Sequence, residues 1–436
     1  MRTLRFGTAA WRRYLERRRG DSGARPGRER AVSRILAAVR RDGDAALVRL
    51  TRRFDGVRLE PRRLWAATTE VRALARRADP ELVAALRAMA RRIESFHRRQ
   101  LLRGFSMRLP DGSRLEERVA PIGAVGLYVP GGAGAYPSSV LMNAIPAQVA
   151  GVPRIVVATP PRSLETNPAV AAALTLIGLE RSVLRVGGAQ GIAALAFGTR
   201  SVEPVAKIVG PGNAFVAAAK RQVRGRVEID QDAGPSEVVI LADASADPRW
   251  VAADLLAQAE HGSGDEAVVL VTDSESLASE VPRLVAGGVS GVANAAAARR
   301  ALRRNGAVVR VRDIAAGVAA VNALAPEHAQ VMTRSASRVA RGIVAGGVFV
   351  GSQAPVAVGD YGVGPNHVLP TGGAARFSSP LSVRDFQRSQ GVVTLTRSGL
   401  RRLAPGVMAV ARAEGFIGHA RSVALRLPGK AARGRR

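Results

Sequence analysis

The stretch Val125-Gly-Leu-Tyr-Val-Pro-Gly-Gly132 decides the fold, because a short apolar run ends there at a glycine-rich turn. Such a run predicts a buried β-strand, and the segment from Val140 to Val149 predicts the helix that follows it. The same succession recurs as predicted strands at 154–158, 183–186 and 207–210 and predicted helices at 167–178, 193–197 and 214–223. Repeated strand, turn and helix predict a parallel sheet that is covered by helices.

A second module of this kind follows, with a strand at 238–241, a helix at 249–259 and a strand at 268–271. We therefore expect an α/β fold with two Rossmann-like parallel-sheet domains and helical N- and C-terminal extensions. The expected domains are a helical arm (1–27), a discontinuous first α/β domain (28–118 and 237–381), a second, nucleotide-contacting Rossmann-like domain (119–236) and a C-terminal helical segment (382–436).

The formal charge of +30 first suggests a nucleic-acid partner. Lysine occurs only at positions 207, 220 and 430, so that all but three of the 65 basic side chains are arginine. Aromatic residues make up only 4% of the chain, which leaves few platforms on which bases could stack. A compositional bias toward arginine is therefore favoured over nucleic-acid binding, which stays open as an alternative of a different class.

The chain contains no cysteine, which excludes a disulfide framework, a thiolate zinc finger and a cysteine nucleophile. Neither a signal peptide nor an apolar run of transmembrane length is found, so a soluble cytoplasmic protein without a membrane partner is expected. Any metal must be held by imidazole, carboxylate and amide groups. Only five histidines are available, at positions 97, 261, 328, 367 and 419.

Three glycine-rich turns follow predicted strands of the first module, at Pro130-Gly-Gly, Gly187-Gly-Ala-Gln190 and Gly210-Pro-Gly-Asn213. Such turns let a nucleotide approach the backbone and the helix N-termini, although most glycine turns are only turns. The first lacks the G-x-G-x-x-G fingerprint and the lysine of a P-loop. The polar side chains on these turns are Tyr128, Gln190 and Asn213.

Several polar residues each allow a functional and a structural interpretation. Gln258 and His261, three apart on a predicted helix, could bind one metal, or His261 could simply sit near a helix C-terminus. The adjacent Glu327 and His328 offer two proton-transfer groups, or an acidic helix start or tight turn. Asp360 alone predicts a turn, and His97 is expected on a solvated helix face.

Taken together, the loops resemble those of the histidinol dehydrogenase family, over about residues 32–427. The matching segments are Gly126-Leu-Tyr-Val-Pro-Gly-Gly, Tyr136-Pro-Ser-Ser-Val-Leu-Met-Asn, Gly187-Gly-Ala-Gln, Ile208-Val-Gly-Pro-Gly-Asn, Ala233-Gly-Pro-Ser-Glu, Gln258-Ala-Glu-His-Gly, Ala325-Pro-Glu-His, Gly359-Asp-Tyr, Gly364-Pro-Asn-His-Val-Leu-Pro-Thr and the segment from Ala413 through His419. Any one segment could match by chance, whereas this number in this order is specific.

The resemblance implies an NAD-dependent enzyme with one Zn²⁺ per subunit, which oxidises L-histidinol through histidinal to L-histidine in the last steps of histidine biosynthesis. It implies proton transfer by Glu327 and His328 and contacts of Tyr128, Gln190 and Asn213 with NAD. The implied zinc ligands are Gln258, His261, Asp360 and His419. The implied substrate-binding residues are Ser236, Gln258, His261, His328, Asp360, His367, Glu414 and His419.

The resemblance also implies a homodimer with shared active sites, in which the C-terminal segment carries Glu414 and His419 to the partner subunit. A zinc- and NAD-dependent dehydrogenase of another small alcohol, such as a sulfonated diol, is the alternative among enzymes. Glu414 suits a substrate amine or imidazole and therefore favours histidinol.

Overall fold

A computed structural model describes residues 1–20, 26–131, 136–231 and 234–427. The chain forms two compact units, one of residues 1–101 and 122–386 and the other of residues 102–121 and 387–436. The described residues form fourteen strands: β1 (Arg2–Arg5), β2 (Phe105–Arg108), β3 (Arg114–Pro121), β4 (Ala124–Tyr128), β5 (Arg154–Ala158), β6 (Val183–Leu184), β7 (Lys207–Val209), β8 (Glu228–Ile229), β9 (Glu237–Ala242), β10 (Ala267–Thr272), β11 (Ala307–Arg310), β12 (His328–Met332), β13 (Gly347–Val350) and β14 (Gln387–Thr394).

Eighteen α-helices accompany these strands in the described ranges. They are α1 (Ala9–Gly20), α2 (Pro26–Asp42), α3 (Asp44–Asp55), α4 (Thr68–Ala75), α5 (Pro80–Arg98), α6 (Pro137–Val149), α7 (Pro161–Thr166), α8 (Pro168–Leu176), α9 (Gly188–Phe197), α10 (Ala214–Val223), α11 (Pro248–Ala259), α12 (Glu275–Gly288), α13 (Ala295–Arg304), α14 (Ile314–Leu324), α15 (Ala336–Ala340), α16 (Ala357–Asp360), α17 (Arg397–Ala413) and α18 (Ile417–Ala424). In this part of the chain, no helix combines the length and the apolar character that crossing a membrane requires.

The first parallel sheet of the larger unit has the order β6-β5-β4-β7-β8. Its central strand β4 is buried along its whole length, as expected for a strand that is covered by helices on both faces. The chain leaves β4 toward β5 and β6 and then returns to the other side of β4 with β7. The crevice beyond the carboxyl ends of β4 and β7 is therefore a topological switch point, where parallel sheets bind ligands.

The second sheet of the same unit has the order β1-β11-β10-β9-β12-β13, and all its strand pairs are parallel. All residues of β9 and β10 are buried, and all are apolar except Glu237 at the start of β9 and Thr272 at the end of β10, which explains why the sequence predicts these strands well. These two parallel sheets with their covering helices confirm the α/β fold class. Helix α11 follows β9 and returns along the sheet, so that its C-terminus lies near the amino ends of the strands.

The N-terminal residues differ from the helical arm that the sequence predicts for residues 1–27. Arg2–Arg5 forms an edge strand paired with β11, and Trp11 and Tyr14 of α1 are buried in the core of the second sheet. Residues 21–25 lie outside the described residues. Two of the four residues of β1 are arginine, so that the strand has no apolar pattern by which the sequence could reveal it.

The helices of residues 28–100 also pack differently from the expected grouping with 237–381. Val32, Leu36 and Leu47 share a core with Val156 and Leu184 of the first sheet. Part of the expected first domain therefore packs on the second, and the domain boundaries stay a prediction.

The smaller unit contains an antiparallel sheet of order β14-β3-β2, together with α17 and α18. The expectation of a helical segment over 382–436 is wrong for β14, which pairs with β3 along all eight of its residues. Most residues of β14 are exposed, and the sequence Gln-Arg-Ser-Gln-Gly-Val-Val-Thr lacks the apolar alternation of a half-buried strand. Residues 428–436 lie outside the described residues.

Candidate active site

Glu327 and His328 lie at the amino end of β12, between β9 and the edge strand β13 of the second sheet. The prediction of a helix start or a tight turn is wrong, because His328 is the first residue of the strand and pairs with Val238 of β9. Both side chains are buried, and Nδ1 of His328 lies 3.5 Å from Oε2 of Glu327. The structure therefore holds two proton-transfer groups side by side at a protected position.

Burial is the main reason why the pKa of Glu327 rises from 4.5 to about 8. The backbone N–H of Glu237 donates to its Oε2 at 2.8 Å and lowers this pKa in part, whereas the negative charges of Glu237 and Asp360 raise it. The positive charge that His261 can carry acts in the opposite direction. A carboxyl with a pKa near 8 can gain and lose a proton close to neutral pH, as a general acid–base requires.

Burial lowers the pKa of His328 below 6.5, although Asp360 and Glu237 partly counteract this shift. The ring is therefore neutral at pH 7. Nδ1 lies 3.0 Å from the carbonyl oxygen of Glu237, which can only accept a hydrogen bond. We assign the proton to Nδ1 on this ground, which leaves the lone pair of Nε2 available to take a proton from a substrate.

His367 and Asp360 form a second pair near the first. Nδ1 of His367 lies 3.7 Å from Oδ1 of Asp360, which ends the short helix α16. Burial lowers the pKa of His367, whereas the negative charge of Asp360 raises it; positive charge on His328 or His261 lowers it further. His261, His328, Asp360 and His367 are therefore close enough to influence one another electrostatically.

Gln258 and His261 lie at the C-terminal end of α11, but only Gln258 belongs to the helix, whereas the sequence predicts both residues on it. The helix ends at Ala259, and His261 follows the C-cap residue Glu260 in a turn with Gly262 at φ +100°. Gln258 is buried, and its Nε2 has no hydrogen-bond partner. His261 is exposed, so that its ring is accessible to a ligand.

The described residues contain no group of three His, Cys, Asp or Glu side chains that could hold a metal ion. In the larger unit the predicted zinc ligands supply only two such residues, His261 and Asp360, because the third ligand is the amide of Gln258. An imidazole, a carboxylate and an amide oxygen are nitrogen and oxygen donors of the kind that Zn²⁺ accepts. The donor types therefore fit a zinc ion.

His419 and Glu414 belong to the smaller unit. His419 lies on α18 and Glu414 is the C-cap residue of α17, and both are exposed. The rings of Phe416 and His419 are tilted against each other with centroids 5.1 Å apart. The side chains of Glu414 and His419 are therefore accessible to another molecule.

The three residues predicted to contact NAD all follow strands of the first sheet. The hydroxyl of buried Tyr128, at the end of β4, accepts a hydrogen bond from the N–H of Gly188 at 3.0 Å. Gln190 is buried in the first turn of α9. Asn213 caps α10 by accepting hydrogen bonds from the N–H groups of Phe215 and Val216.

The turn after β7 is built to lie close to β4 at the switch point. Gly210 has φ +110°, and a Cβ there would come within 2.3 Å of the carbonyl oxygen of Tyr128. Buried Lys220 donates to the carbonyl oxygen of Gly210 at 3.0 Å and pairs with Asp230, which accepts from the N–H of Gly210 at 2.8 Å. The turn is thus fixed from both sides, and a glycine is required at its start.

Ser236 is half-buried directly before β9, and its carbonyl oxygen accepts from Ala267. The sequence reasoning missed its neighbour Glu237, although an acid at the start of the apolar run Val-Val-Ile-Leu-Ala is an unusual residue for a buried strand. The carboxylate of Glu237 forms an ion pair with Arg18 of α1. No local pattern connects positions that are 219 residues apart.

His97 is fully buried, so that the prediction of a solvated helix face is wrong. Its Nδ1 bonds the carbonyl oxygen of Ile93 at 2.8 Å, and its Nε2 lies 3.4 Å from Nδ2 of Asn366. Asn366 also donates to the carbonyl oxygen of Met142 at 2.7 Å. His97 therefore helps to hold the loop that presents His367.

Comparison with known proteins shows the family to which the chain belongs. The family model described as "Histidinol dehydrogenase" matches residues 18–427. The chain belongs to the histidinol dehydrogenase family. Its members are NAD-dependent oxidoreductases.

Individual relatives of this histidinol dehydrogenase family member cover nearly all of its length. The chain is 48% identical to the histidinol dehydrogenase of Rhizobium meliloti over 91% of both chains. It is 47% identical to that of Gluconobacter oxydans over 93% of this chain and 95% of the relative. The crystal structure of histidinol dehydrogenase from Elizabethkingia anophelis superposes with a TM-score of 0.90, at 33% identity and 98% coverage of both chains.

The raised pKa of Glu327 predicts how the stability of this histidinol dehydrogenase family member depends on pH. Because the folded protein holds this proton up to about pH 8, whereas the unfolded chain loses it near pH 4.5, the free energy of unfolding should fall as the pH rises through this window. Glu327→Gln removes the ionisation and should therefore be more stable than the unmodified protein above pH 8, by about 5 kcal/mol at ~1.4 kcal/mol per pKa unit.

Urea unfolding of the metal-free proteins at pH 5 and pH 9 measures this difference. Glu414→Gln, which changes an exposed carboxyl, is the matched control and should follow the unmodified protein at both values. Equal pH dependence of Glu327→Gln and the unmodified protein would contradict a neutral, buried Glu327.

Proposed function

We propose that this protein oxidises L-histidinol through histidinal to L-histidine, with two molecules of NAD, in the last steps of histidine biosynthesis. The observation that carries this proposal is the buried pair of Glu327 and His328, 3.5 Å apart and under the electrostatic influence of His261 and Asp360. Family membership supplies the reaction class, and the pair supplies the acid–base groups that the reaction needs.

In the first oxidation, Nε2 of His328 takes the hydroxyl proton of histidinol. Between the two oxidations, water adds to the aldehyde, and the ionised form of Glu327, which a pKa of about 8 keeps accessible near neutral pH, takes a proton from that water. His328 releases its first proton to solvent, and in the second oxidation its Nε2 takes the hydroxyl proton of the hydrate. Bound NAD supplies a two-electron acceptor, so that one NAD is consumed in each oxidation.

We propose a zinc site of Gln258, His261, Asp360 and His419, with one ion per subunit. Bound zinc would supply a positive charge that orients the imidazole and the amine of the substrate. Ser236, His367 and Glu414 would contact the substrate, and Glu414 would pair with its amine or imidazole. Tyr128, Gln190 and Asn213 surround the switch point at which we place NAD.

The test of the function is a stoichiometric assay with zinc analysis of the same sample. Histidinol at limiting concentration should yield two NADH per molecule, and the active protein should contain zinc. Turnover of a sulfonated diol but not of histidinol would favour the alternative alcohol. Salt-sensitive binding of nucleic acid without zinc or dehydrogenase activity would favour the other class of function.

We further propose a homodimer in which Glu414 and His419 complete the active site of the partner subunit. If the sites are shared, mixing the inactive variants His328→Asn and His419→Asn should restore activity, because one of the two sites in a hybrid dimer then has both residues intact. Random exchange of subunits should bring activity to about a quarter of that of the unmodified dimer. The assay is run after subunit exchange has been verified with differently tagged chains. Full exchange without recovery would show that each site is built within one chain.

A further inference from the structure

The backbone of Glu237 contacts both residues of the proton-transfer pair. Its N–H donates to Oε2 of Glu327 at 2.8 Å, and its carbonyl oxygen accepts from Nδ1 of His328 at 3.0 Å. A single residue at the start of β9 therefore sets the position of the carboxylate and the tautomer of the imidazole. A shift of this segment would move both groups together.

The side chain of Glu237 also contacts the segment that precedes β12, in addition to the backbone contacts. Its Oε2 accepts from the N–H of Glu327 at 3.3 Å and from the N–H of Gly372 at 3.2 Å. Residues 237 and 327 thus hold each other by two reciprocal hydrogen bonds, each from a backbone N–H to a carboxylate. Gly372 belongs to a turn with φ +64° that follows the loop of His367.

The other carboxylate oxygen of Glu237 pairs with the guanidinium of Arg18, on the N-terminal helix α1. Both side chains are largely buried, with 7% of Glu237 and 16% of Arg18 exposed. A buried carboxylate requires such partners, and an apolar residue at position 237 would continue the strand without them. Within the described residues, the hydrogen-bond partners of this carboxylate lie on α1, at residue 327 and in the turn at residue 372.

We infer that Glu237, anchored by Arg18, is a positioning residue that holds Glu327 and His328 in their reactive geometry. This inference rests on the proposed function, since it assigns Glu237 to the same reaction. Glu237 itself exchanges no proton with the substrate. Its carboxylate locks the start of β9 to the start of β12, and its carbonyl oxygen keeps Nε2 of His328 unprotonated.

The test is Glu237→Gln. An amide has one acceptor oxygen, so that an NH₂ group would face either Arg18 or the N–H groups of residues 327 and 372. The resulting displacement should lower kcat for histidinol oxidation by about 10- to 100-fold, because small misplacements of catalytic groups are costly. KM for NAD should stay within about twofold, since the hydrogen bonds of Glu237 in the described residues go to Arg18, Glu327, His328 and Gly372 and not to the proposed NAD contacts.

The matched control is Glu180→Gln. Glu180 is equally buried and pairs with Arg72 at 2.6 Å, and among the described residues no hydrogen bond or ion pair joins it to the proposed site. Both variants should lose thermal stability, and only Glu237→Gln should lose kcat. If Glu237→Gln retained its kcat while its melting temperature fell as in the control, the ion pair of Glu237 with Arg18 would have only a structural role.

An NMR measurement on the substrate-free protein can test this inference independently of the proposed function. The ¹⁵N shifts of His328 report its tautomer, which should be Nδ1–H in the unmodified protein and mixed in Glu237→Gln. An unchanged tautomer in this variant would overturn the inference, whatever the substrate proves to be. Absence of histidinol turnover with the expected tautomer change would reject the proposed function alone.

If Glu237→Gln does not fold, Arg18→Met replaces it in the same measurements. This variant keeps the carboxylate and removes its anchor, and it should cause a smaller loss of kcat, of about fivefold or more. Arg18→Lys keeps the charge and should recover most of that loss. Equal activity of Arg18→Met and the unmodified protein would overturn the role of the anchor and, with it, the inference.

Discussion

His328→Asn should lower kcat for histidinol oxidation by about 10²- to 10⁴-fold, the range expected for loss of a general base. The imidazole is neutral at pH 7 because burial lowers its pKa, and its Nδ1 is engaged by the carbonyl oxygen of Glu237. Asparagine can still bond that carbonyl through its amide, but it offers no basic nitrogen to the substrate. The loss should therefore fall on proton transfer rather than on the fold.

The pH dependence of kcat provides the second measurement for this variant. In the unmodified protein, activity should fall with decreasing pH below the lowered pKa of His328, because the base becomes protonated there. This decline should be absent from the residual activity of His328→Asn. Zinc content, melting temperature and KM for NAD should change little. A variant with kcat within tenfold of the original would remove His328 from the role of base.

The central strands of both parallel sheets could be predicted because they are buried on both faces. Strands β4, β5, β9 and β10 appear in the sequence as short apolar runs that end at turns, within a few residues of their observed bounds. A strand that is buried on both faces shows no alternation of polar and apolar residues. It is recognised instead as a continuous run of apolar residues, which is uncommon in loops. The α/β class follows from these strands and the helices between them.

Strands at the edges and on the surface could not be predicted in the same way. Strand β14 is held by eight residue pairs with β3, whose partners lie more than 260 residues earlier in the chain. Because most of its side chains are exposed, its stability depends on backbone pairing, which leaves no trace in composition. Strand β1 likewise depends on backbone pairing with a strand that is remote in the sequence, the parallel strand β11.

The residues of the proposed site could be chosen from the sequence, but their arrangement could not. The adjacent acid and imidazole of Glu327 and His328 identify them in the sequence as candidates for proton transfer. Their position at the start of a strand depends on the pairing of β12 with β9, which the sequence does not show. The role of Glu237 depends on the same pairing and on a contact with Arg18 that is remote in the sequence. The sequence predicts His97 on the surface because the residue that it contacts in the core, Asn366, is also remote in the sequence.

His261→Asn should release zinc and reduce activity by more than about 100-fold, the upper range for loss of a residue that only supports a metal ligand. His261 is exposed beside the proposed site, and its position in a turn after α11 leaves its ring accessible. Asparagine preserves the polarity of the turn, but it offers an amide in place of the imidazole nitrogen. The remaining proposed ligands, Gln258, Asp360 and His419, would provide two oxygen donors and a single imidazole, and a site that has lost one of its two imidazoles should hold Zn²⁺ less well.

Glu260→Gln is the matched control, because Glu260 is the neighbour of His261 and its carboxylate accepts from the N–H of Ala293, which a glutamine oxygen can replace. This control should keep one zinc per subunit and full activity, whereas His261→Asn should lose both and retain its melting temperature after both proteins have been stripped of metal. Chelator treatment of the unmodified protein should reproduce the loss, and added Zn²⁺ should reverse it. Full metal content and an unchanged rate in His261→Asn would mean that the imidazole lies outside the metal site, and the ligand set would then have to be built without it.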